Sequence, residues 1–309
     1  MNSPTISIIM RSFNRERTIA KSINSVLDQD YKNFELIVVD DGSTDSTLKI
    51  VENFNEPRIK IVRHRTNLGL TAGLNSGYAA CSKSSSAIAF LDSDDMWRSD
   101  HLSKCCQKLF GNVELGFVYT QTVGRGLKKD RGCDQFIKIL SNLSLAPLGS
   151  ILISQASSRL IFPLPENIDM CEDDIICLEL SRTNCFDYIR DYTYQPLGSE
   201  NSVTRNFALV AEGWEKLFNR YSREIELYCS GEQKFFLLRK QAMVFACANK
   251  FDASIELMVK AIGYLEVSKF SKLRKFLFAL TWILLRVIKI RIFNFSPRFL
   301  NSLRKYFSP

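Results

Sequence analysis

The sequence has few of the residues that build zinc sites or disulfide frameworks. Of its 309 residues only two are histidine, and its nine cysteines show no CxxC spacing. An odd cysteine count without an export signal favours reduced, intracellular thiols, most of them buried as small hydrophobic side chains. We therefore expect neither a zinc protein nor a disulfide-stabilised one.

Long apolar runs and a secretory leader are also missing. The apolar run at positions 276–285 has ten residues, whereas a transmembrane helix needs about 20. The first four residues lead straight into an apolar segment, without the basic and apolar regions of a signal peptide. These absences predict a cytoplasmic protein without a membrane-spanning helix.

Acidic residues are absent from the carboxyl-terminal tail, residues 271–309, which carries nine Lys and Arg. The rest of the chain has 32 basic and 33 acidic residues, so a nucleic-acid-binding body is not expected. On a helix, Lys272, Lys275, Arg286 and Lys289 fall within an arc of about 100° beside apolar side chains. This pattern is typical of a helix lying on an anionic membrane surface. Alternatively, the helix packs on the protein's own core.

Strand-like and helix-like segments alternate in the first hundred residues. Apolar runs at 6–10, 35–39, 59–62 and 87–91 predict strands, and segments of helical periodicity lie between them. Such alternation predicts βαβ units and a mostly parallel sheet. After residue 206 the pattern is helical, with two amphipathic helices predicted at 233–249 and 252–266. We expect an α/β domain at 1–206, a helical region at 207–270 and the basic tail at 271–309.

Two of the predicted strands end in acidic residues. Asp40 and Asp41 follow the second strand, and Asp92-Ser-Asp94-Asp95 follows the fourth. In open α/β sheets, ligands bind beyond the carboxyl ends of the strands. Carboxylates suit Mg²⁺ or Mn²⁺, which proteins hold with one or two acids plus substrate phosphates. The alternatives that involve no ligand are a solvated acidic loop and, for Asp40 to Ser43, an ordinary turn.

Five ordered segments resemble family 2 glycosyltransferases, which have the glycosyltransferase A fold, an α/β sheet flanked by helices, and transfer sugars with inversion. The resemblance is close over residues 5–105 and looser to about 206. The segments are Ser7–Arg15, Ser25–Tyr31, Phe34–Asp45, Asn67–Gly69 with Asn75, and Phe90–Asp95.

The resemblance implies a site for a nucleotide-sugar donor, most commonly UDP-linked. Asp41 would accept a hydrogen bond from the base, Asp92 would lie near the ribose and also near the metal, and Asp94 would coordinate Mg²⁺ or Mn²⁺ on the diphosphate. The implied donor-binding residues are Arg11, Ser12, Phe13, Asp40, Asp41, Asn67 and Asp92.

The resemblance also implies a general base in the acidic segment Glu172-Asp173-Asp174. Asp173 would deprotonate the acceptor hydroxyl, and Glu172 would help to position it, although the register among the three acids stays open. Acids in a first helical turn also stabilise helices for ordinary electrostatic reasons.

Two departures from the family pattern stand out. Many relatives have proline where Arg11 stands, so Arg11 has either a donor contact or a structural role. Gln195 and Leu197 replace an arginine and a histidine that relatives often carry, which leaves Arg205 as one candidate for contacting the diphosphate.

The leading hypothesis is an inverting transferase that adds one sugar to a surface-polysaccharide or lipid-linked acceptor at the inner face of the membrane. A catalytically inactive binding or scaffold protein with this fold is one alternative. A sugar-phosphate nucleotidyltransferase is another, but the segment Ser7–Arg15 lacks the glycines of its usual loop. The donor sugar and the acceptor are not readable from the sequence.

Overall fold

In the computed structural model, residues 3–143, 145–165, 168, 170–197 and 206–264 are described. They divide into two compact units. The first contains the described residues up to 197 together with 216–220, and the second contains 206–215 with the described residues from 221 onward. The described residues do not include Arg205, residues 265–266 of the last predicted helix, or residues 271–309.

An eight-stranded sheet forms the centre of the first unit, in the order β3-β2-β1-β4-β7-β6-β8-β5. The strands β3, β2, β1 and β4 are parallel, as the βαβ pattern predicts. β7 runs antiparallel to both β4 and β6, and β5 runs antiparallel to β8. The strands are β1 (Ile6–Ser12), β2 (Phe34–Asp40), β3 (Ile59–Arg63), β4 (Ala87–Phe90), β5 (Asp95–Trp97), β6 (Leu115–Thr122), β7 (Ile151–Ser154) and β8 (Cys185–Pro196).

Helices cover both faces of this sheet, because successive side chains of each strand point to opposite faces. Ile6, Ile8 and Met10 pack with apolar residues of α1, α2 and α4, whereas Ile9 faces α3. A 3-10 turn, Leu148–Ser150, precedes β7. The helices of this unit are α1 (Ile19–Leu27), α2 (Thr47–Glu52), α3 (Leu70–Ala80), α4 (His101–Phe110), α5 (Phe136–Asn142), α6 (Gln155–Ile161) and α7 (Glu172–Thr183).

The second unit contains the helical pair expected after residue 206. The helices from this point are α8 (Phe207–Arg220), which contributes to both units, α9 (Ser222–Tyr228), α10 (Gly231–Cys247) and α11 (Phe251–Ile262). Ser230 caps α10, accepting a hydrogen bond from the Gln233 amide while the Gln233 side chain accepts from the Ser230 amide. Phe235 and Met258 are the largest fully buried side chains between α10 and α11. None of the helices in the described part of the chain is long and apolar enough to cross a membrane.

The expectation that all cysteines are reduced is wrong for one pair. Cys133 and Cys185 form a disulfide across 52 positions of sequence. It fastens the start of β8 to the segment before α5, next to a backbone bridge between Gly132 and Phe186. The other seven cysteines are free thiols, and five of them are buried.

Close packing of α3 on the sheet predicts a strong effect at Gly77. A Cβ atom at this position would collide with the side chain of Ile9 and approach Val39 Cγ2 to 3.2 Å, both of them buried. We expect Gly77→Val to lower the free energy of unfolding by about 1–3 kcal/mol, the usual cost of overpacking a core. Urea denaturation would measure this loss.

Gly126 provides the control, because a Cβ there meets nothing within 4 Å. If Gly126→Val destabilised the protein as much as Gly77→Val, close packing would not be the cause.

Candidate active site

The predicted site residues lie at one edge of the sheet, formed by the carboxyl ends of β2, β1 and β4. We call this the acidic edge. Ser12 is paired with Asp40 in the β1–β2 register, and the Leu91 amide after β4 donates to the Ile9 carbonyl at 3.0 Å. Parallel neighbouring strands end together, so residues from three separate stretches of sequence converge there.

Arg11 links the acidic edge to the amino-terminal turn of α7. Its Nη2 donates to Asp92 Oδ1 at 2.9 Å, and its Nη1 donates to Glu172 Oε1 at 2.6 Å. The Arg11 side chain is 11% exposed and that of Glu172 only 6%. Gly73 packs against the stem of this arginine, since a Cβ there would lie 3.4 Å from Arg11 Cγ. Burial alone would lower the pKa of Arg11, but Asp92 and Glu172 outweigh it and hold the pKa above its ordinary value.

Asp173 lies next to this ion-paired cluster. Its Oδ2 accepts a hydrogen bond from the Leu148 amide at 3.2 Å. Burial, followed by the negative charges of Glu172 and Asp92, raises the pKa of Asp173 well above its usual range. Glu172, the residue before Asp173, shares Arg11 with Asp92, so Asp173 lies near the acids that follow β4. A carboxylate with a raised pKa is suited to accept a proton near neutral pH.

Asp41 holds the loop that precedes α3. Its carboxylate accepts hydrogen bonds from the Leu68 amide at 2.9 Å and the Gly69 amide at 3.0 Å. Its Oδ1 also lies 2.6 Å from His64 Nδ1. The sequence prediction did not include His64 among the site residues. Only its position directly after β3, at the same end of the sheet, could have indicated this role.

Asp40 is in a different situation, although it precedes Asp41 directly. Its side chain is 1% exposed, and neither carboxylate oxygen has a hydrogen-bond partner among the described residues. The buried hydroxyl of Ser12, its neighbour in the sheet, has no partner there either. Buried polar groups are nearly always hydrogen-bonded. Within the part of the chain that the structure describes, Asp40 and Ser12 are thus neighbouring unsatisfied polar groups at the carboxyl ends of β2 and β1.

Phe13 and Asn67, the other predicted donor-binding residues, lie close to the same end of the sheet. Phe13 follows β1 and is 39% exposed, large for an aromatic ring. Asn67 is exposed and accepts a hydrogen bond from the Gly69 amide at 3.1 Å, in the loop held by Asp41.

Asp94 is the predicted metal ligand. Its Oδ2 lies 3.5 Å from Arg15 Nε, and its side chain is 15% exposed. Asp92 is more open, with a side chain 42% exposed. The described residues contain no group of three or more His, Cys, Asp or Glu that would bind a metal by itself. Two carboxylates nevertheless fit a Mg²⁺ or Mn²⁺ ion that is shared with substrate phosphates, because such ions keep few protein ligands.

Asp95, the last acid of this segment, is held by hydrogen bonds within the protein. The Tyr194 hydroxyl and the Leu197 amide both donate to its carboxylate, the latter at 3.2 Å. Burial, together with the charge of Asp92, raises the pKa of Asp95 to about 7. Gln195, one of the positions that depart from the family pattern, pairs with Met96 in the β5–β8 register. These contacts attach the end of β8 to the acidic edge.

Comparison with solved structures assigns the fold to a class. The chain resembles S. aureus TarS 1-349 in complex with UDP-GlcNAc, with a TM-score of 0.54 and 19% identity over 84% of this chain and 89% of that one. It also resembles a Pyrobaculum calidifontis mannosyltransferase in complex with GDP-Man and Mn²⁺, with a TM-score of 0.60 and 13% identity over 94% and 86% of the two chains. The eight-stranded sheet with its flanking helices is thus a glycosyltransferase A fold.

The sequence comparison finds relatives for part of the chain. Residues 7–137, less than half of the chain, match the model of "Glycosyl transferase family 2". An Escherichia coli relative, UDP-Glc:alpha-D-GlcNAc-diphosphoundecaprenol beta-1,3-glucosyltransferase WfgD, is 40% identical over 119 residues, 38% of this chain and 46% of that protein.

A Campylobacter jejuni relative, GalNAc(5)-diNAcBac-PP-undecaprenol beta-1,3-glucosyltransferase, is 34% identical over 140 residues, 41% of this chain and 45% of that protein. The chain thus spans under half the length of each of these two relatives. The matched region contains the strands and acids of the donor side but not α7, which begins at Glu172.

The Arg11 contacts predict a strong effect on stability. We expect Arg11→Met to lower the free energy of unfolding by about 3–5 kcal/mol, because it leaves the buried Glu172 carboxylate without its cation. Adding Glu172→Gln to this variant should restore a large part of the loss, since the uncompensated charge is removed. Chemical denaturation of the two single variants and the double variant measures this coupling.

If the stability losses of the two single variants simply added in the double variant, Arg11 and Glu172 would not stabilise one another. That result would contradict this description.

Proposed function

We propose that this protein is an inverting glycosyltransferase that moves one sugar from a nucleotide-sugar, preferentially UDP-linked, to a hydroxyl of a saccharide or lipid-linked acceptor. The observation that carries the proposal is the convergence of Asp92, Glu172 and Asp173 around Arg11. The match of residues 7–137 to the family 2 model supports the type of chemistry. The names of the E. coli and C. jejuni relatives, both glucosyltransferases that act on diphosphate-linked lipids, support the class of acceptor.

The donor base would bind beside β1 and β2. The exposed Phe13 ring offers an apolar surface for a planar base, and Asp40 and Ser12 offer polar atoms that lack a partner among the described residues. A uracil N–H donating to a carboxylate would remove the cost of burying that group unpaired. Asp41 and Asn67 would support this pocket by fixing the loop at Leu68 and Gly69.

The diphosphate would lie above Asp92 and Asp94. Together with the phosphates, these carboxylates would hold Mg²⁺ or Mn²⁺, which would neutralise the charge that develops on the leaving nucleoside diphosphate. Arg11 and Arg15 already lie against the two acids and would add positive charge there. Arg11 would thus serve the donor site as well as the fold.

Asp173 would act as the general base. Its raised pKa prepares it to take the proton of the acceptor hydroxyl, and the Leu148 amide orients its carboxylate. The acceptor oxygen would then bond to the anomeric carbon as the bond from that carbon to the diphosphate oxygen breaks on the opposite side, which inverts the configuration. Glu172, held by Arg11, would fix the amino-terminal turn of α7 and so position Asp173.

Attachment to the inner face of the membrane remains part of the proposal, since a lipid-linked acceptor requires it. The segment that would provide it, residues 271–309, lies outside the described residues.

Substitution of Asp173 is the most direct test of the mechanism. We expect Asp173→Asn to bind the donor with unchanged affinity and to lower kcat by about 10²–10⁴-fold, the usual contribution of a positioned base. In the wild-type protein, transfer should increase with pH, and its acidic limb should lie above the usual pKa of aspartate, because the protonated carboxyl cannot accept a proton. Radiolabelled sugar transfer and donor titration calorimetry measure the two effects.

Asp174→Asn is the matched control, since it removes the same charge one position along α7. It should retain most of the activity. A loss of transfer activity in Asp174→Asn, together with full activity in Asp173→Asn, would identify Asp174 as the base and overturn the assignment.

Metal dependence is tested at Asp94. We expect wild-type affinity for a UDP-sugar to rise on addition of Mn²⁺, and this rise to disappear in Asp94→Asn, because a neutral amide is a weaker ligand for a hard cation. Calorimetry with and without Mn²⁺ shows the difference independently of catalysis. Asp100→Asn is a suitable control, since Asp100 is an acid at the start of α4 that pairs with Arg98. An unaltered Mn²⁺ effect in Asp94→Asn would exclude Asp94 as the ligand.

A further inference from the structure

The loop between β6 and α5, residues 123–135, begins at the acidic edge. β7 runs antiparallel to β4, and β6 runs antiparallel to β7 with Tyr119 opposite Ile151. The carboxyl end of β6 therefore lies at the same edge as the carboxyl end of β4. The Val123 amide at the start of the loop donates to the Tyr194 carbonyl at 2.9 Å.

Side chains from β6 hold the first part of this loop in a defined shape. The Gln121 amide group, 2% exposed, donates to the Lys128 carbonyl at 2.9 Å and accepts from the Lys128 amide at 2.8 Å. The Tyr119 hydroxyl donates to the Asp130 carbonyl at 2.9 Å. The buried Gln121 amide group thus satisfies both backbone groups of Lys128, as a neighbouring strand would. It fixes the turn between these two residues.

The turn at residues 123–131 carries basic and apolar side chains. Residues 123–131 contain four Lys or Arg and one acid, Asp130, whose carboxylate pairs with Lys138 at 2.8 Å. Arg125 and Lys129 are exposed, and no acidic side chain in the described part of the chain pairs with either. Val123 and Leu127 are 44% and 40% exposed. Cations next to exposed aliphatic side chains suit a ligand with phosphate groups on a hydrocarbon chain.

The turn also lies on the side of the site where Asp173 is found. Arg125 and Gly126 line a small cavity together with Ala146 and Pro147. The next residue after Pro147 is Leu148, whose amide donates to Asp173. Arg125 is therefore placed next to the segment that orients the proposed base, beyond the donor acids.

We propose that Arg125 and Lys129 bind the phosphate groups of a lipid-linked acceptor, with Val123 and Leu127 against the first carbons of its lipid. The proposal rests on the proposed function, which places the reactive hydroxyl of the acceptor at Asp173. The acceptor sugar would then lie between Asp173 and the turn, and its phosphates would reach the two cations. Arg125 would provide a forked donor for phosphate oxygens and Lys129 a point charge.

Farnesyl diphosphate is a soluble probe with both chemical features. Its binding to the full-length protein is measured by calorimetry with UDP and Mg²⁺ at saturation, so that the donor site is occupied. We expect the double variant Arg125→Gln/Lys129→Gln to bind the probe at least about tenfold more weakly, because two charge-assisted hydrogen-bonding groups are lost. The control Lys21→Gln/Lys49→Gln removes the same charge from exposed positions on α1 and α2 and should bind like the wild type.

Wild-type protein that does not bind farnesyl diphosphate, or a double variant that binds it normally, would overturn the proposal. Cosedimentation with phosphatidylglycerol vesicles separates the acceptor from the membrane surface. A parallel loss of vesicle binding in the double variant would mean that the turn recognises any anionic lipid, and would overturn its assignment to the acceptor. UDP-sugar hydrolysis without acceptor tests the proposed function separately, since it does not require the turn and should be equal in all three proteins.

Discussion

The site depends on one buried cation shared by two carboxylates from distant parts of the chain. Arg11 belongs to the first strand, Asp92 follows the fourth, and Glu172 opens α7, 161 positions after Arg11. Burying a guanidinium without partners would cost several kcal/mol, and so would burying Glu172 alone. Each charge therefore requires the other, which fixes the first turn of α7 against the end of β1. Asp173, the next residue of that turn, takes its position from this contact.

This constraint also explains the electrostatics of the cluster. Three carboxylates lie close together, and one positive charge cannot neutralise all of them. Glu172 and Asp92 are bonded to the guanidinium, whereas burial and then the charges of these two acids raise the pKa of Asp173. Acid–base sites typically contain neighbouring titratable groups whose environments push their pKa values apart. A proline at position 11 could not provide this charge.

The parallel half of the sheet was predictable, because its strands are short apolar runs separated by helical periodicity. The acids Asp40, Asp41, Asp92 and Asp94 were recognisable for the same reason, since they follow two of these runs directly. The role of Arg11 was not predictable. A contact between residues 161 positions apart leaves no periodicity in a sequence, and a single arginine in a strand fits several roles.

Other features escaped prediction for related reasons. Asp40 and Asp41 are adjacent and identical, yet one holds a loop through His64 and two backbone amides while the other keeps its oxygens unpaired among the described residues. Only the direction of each side chain distinguishes them. The Cys133–Cys185 disulfide has no spacing signature, and the pairing of the three-residue strand β5 with β8 depends on the tertiary contact between Asp95 and Tyr194.

In the proposed mechanism, acids from β2, β4 and α7 surround one nucleotide-sugar and one divalent ion. Anomalous scattering from crystals containing UDP and Mn²⁺ tests it most directly. We expect a single strong manganese peak within coordination distance of an Asp94 carboxylate oxygen and the diphosphate. The uracil should lie beside Phe13 and Asp40, and the Asp173 carboxylate should face the space next to the β-phosphate. A UDP molecule bound away from the acidic edge, or manganese held without Asp94 and Asp92, would contradict it.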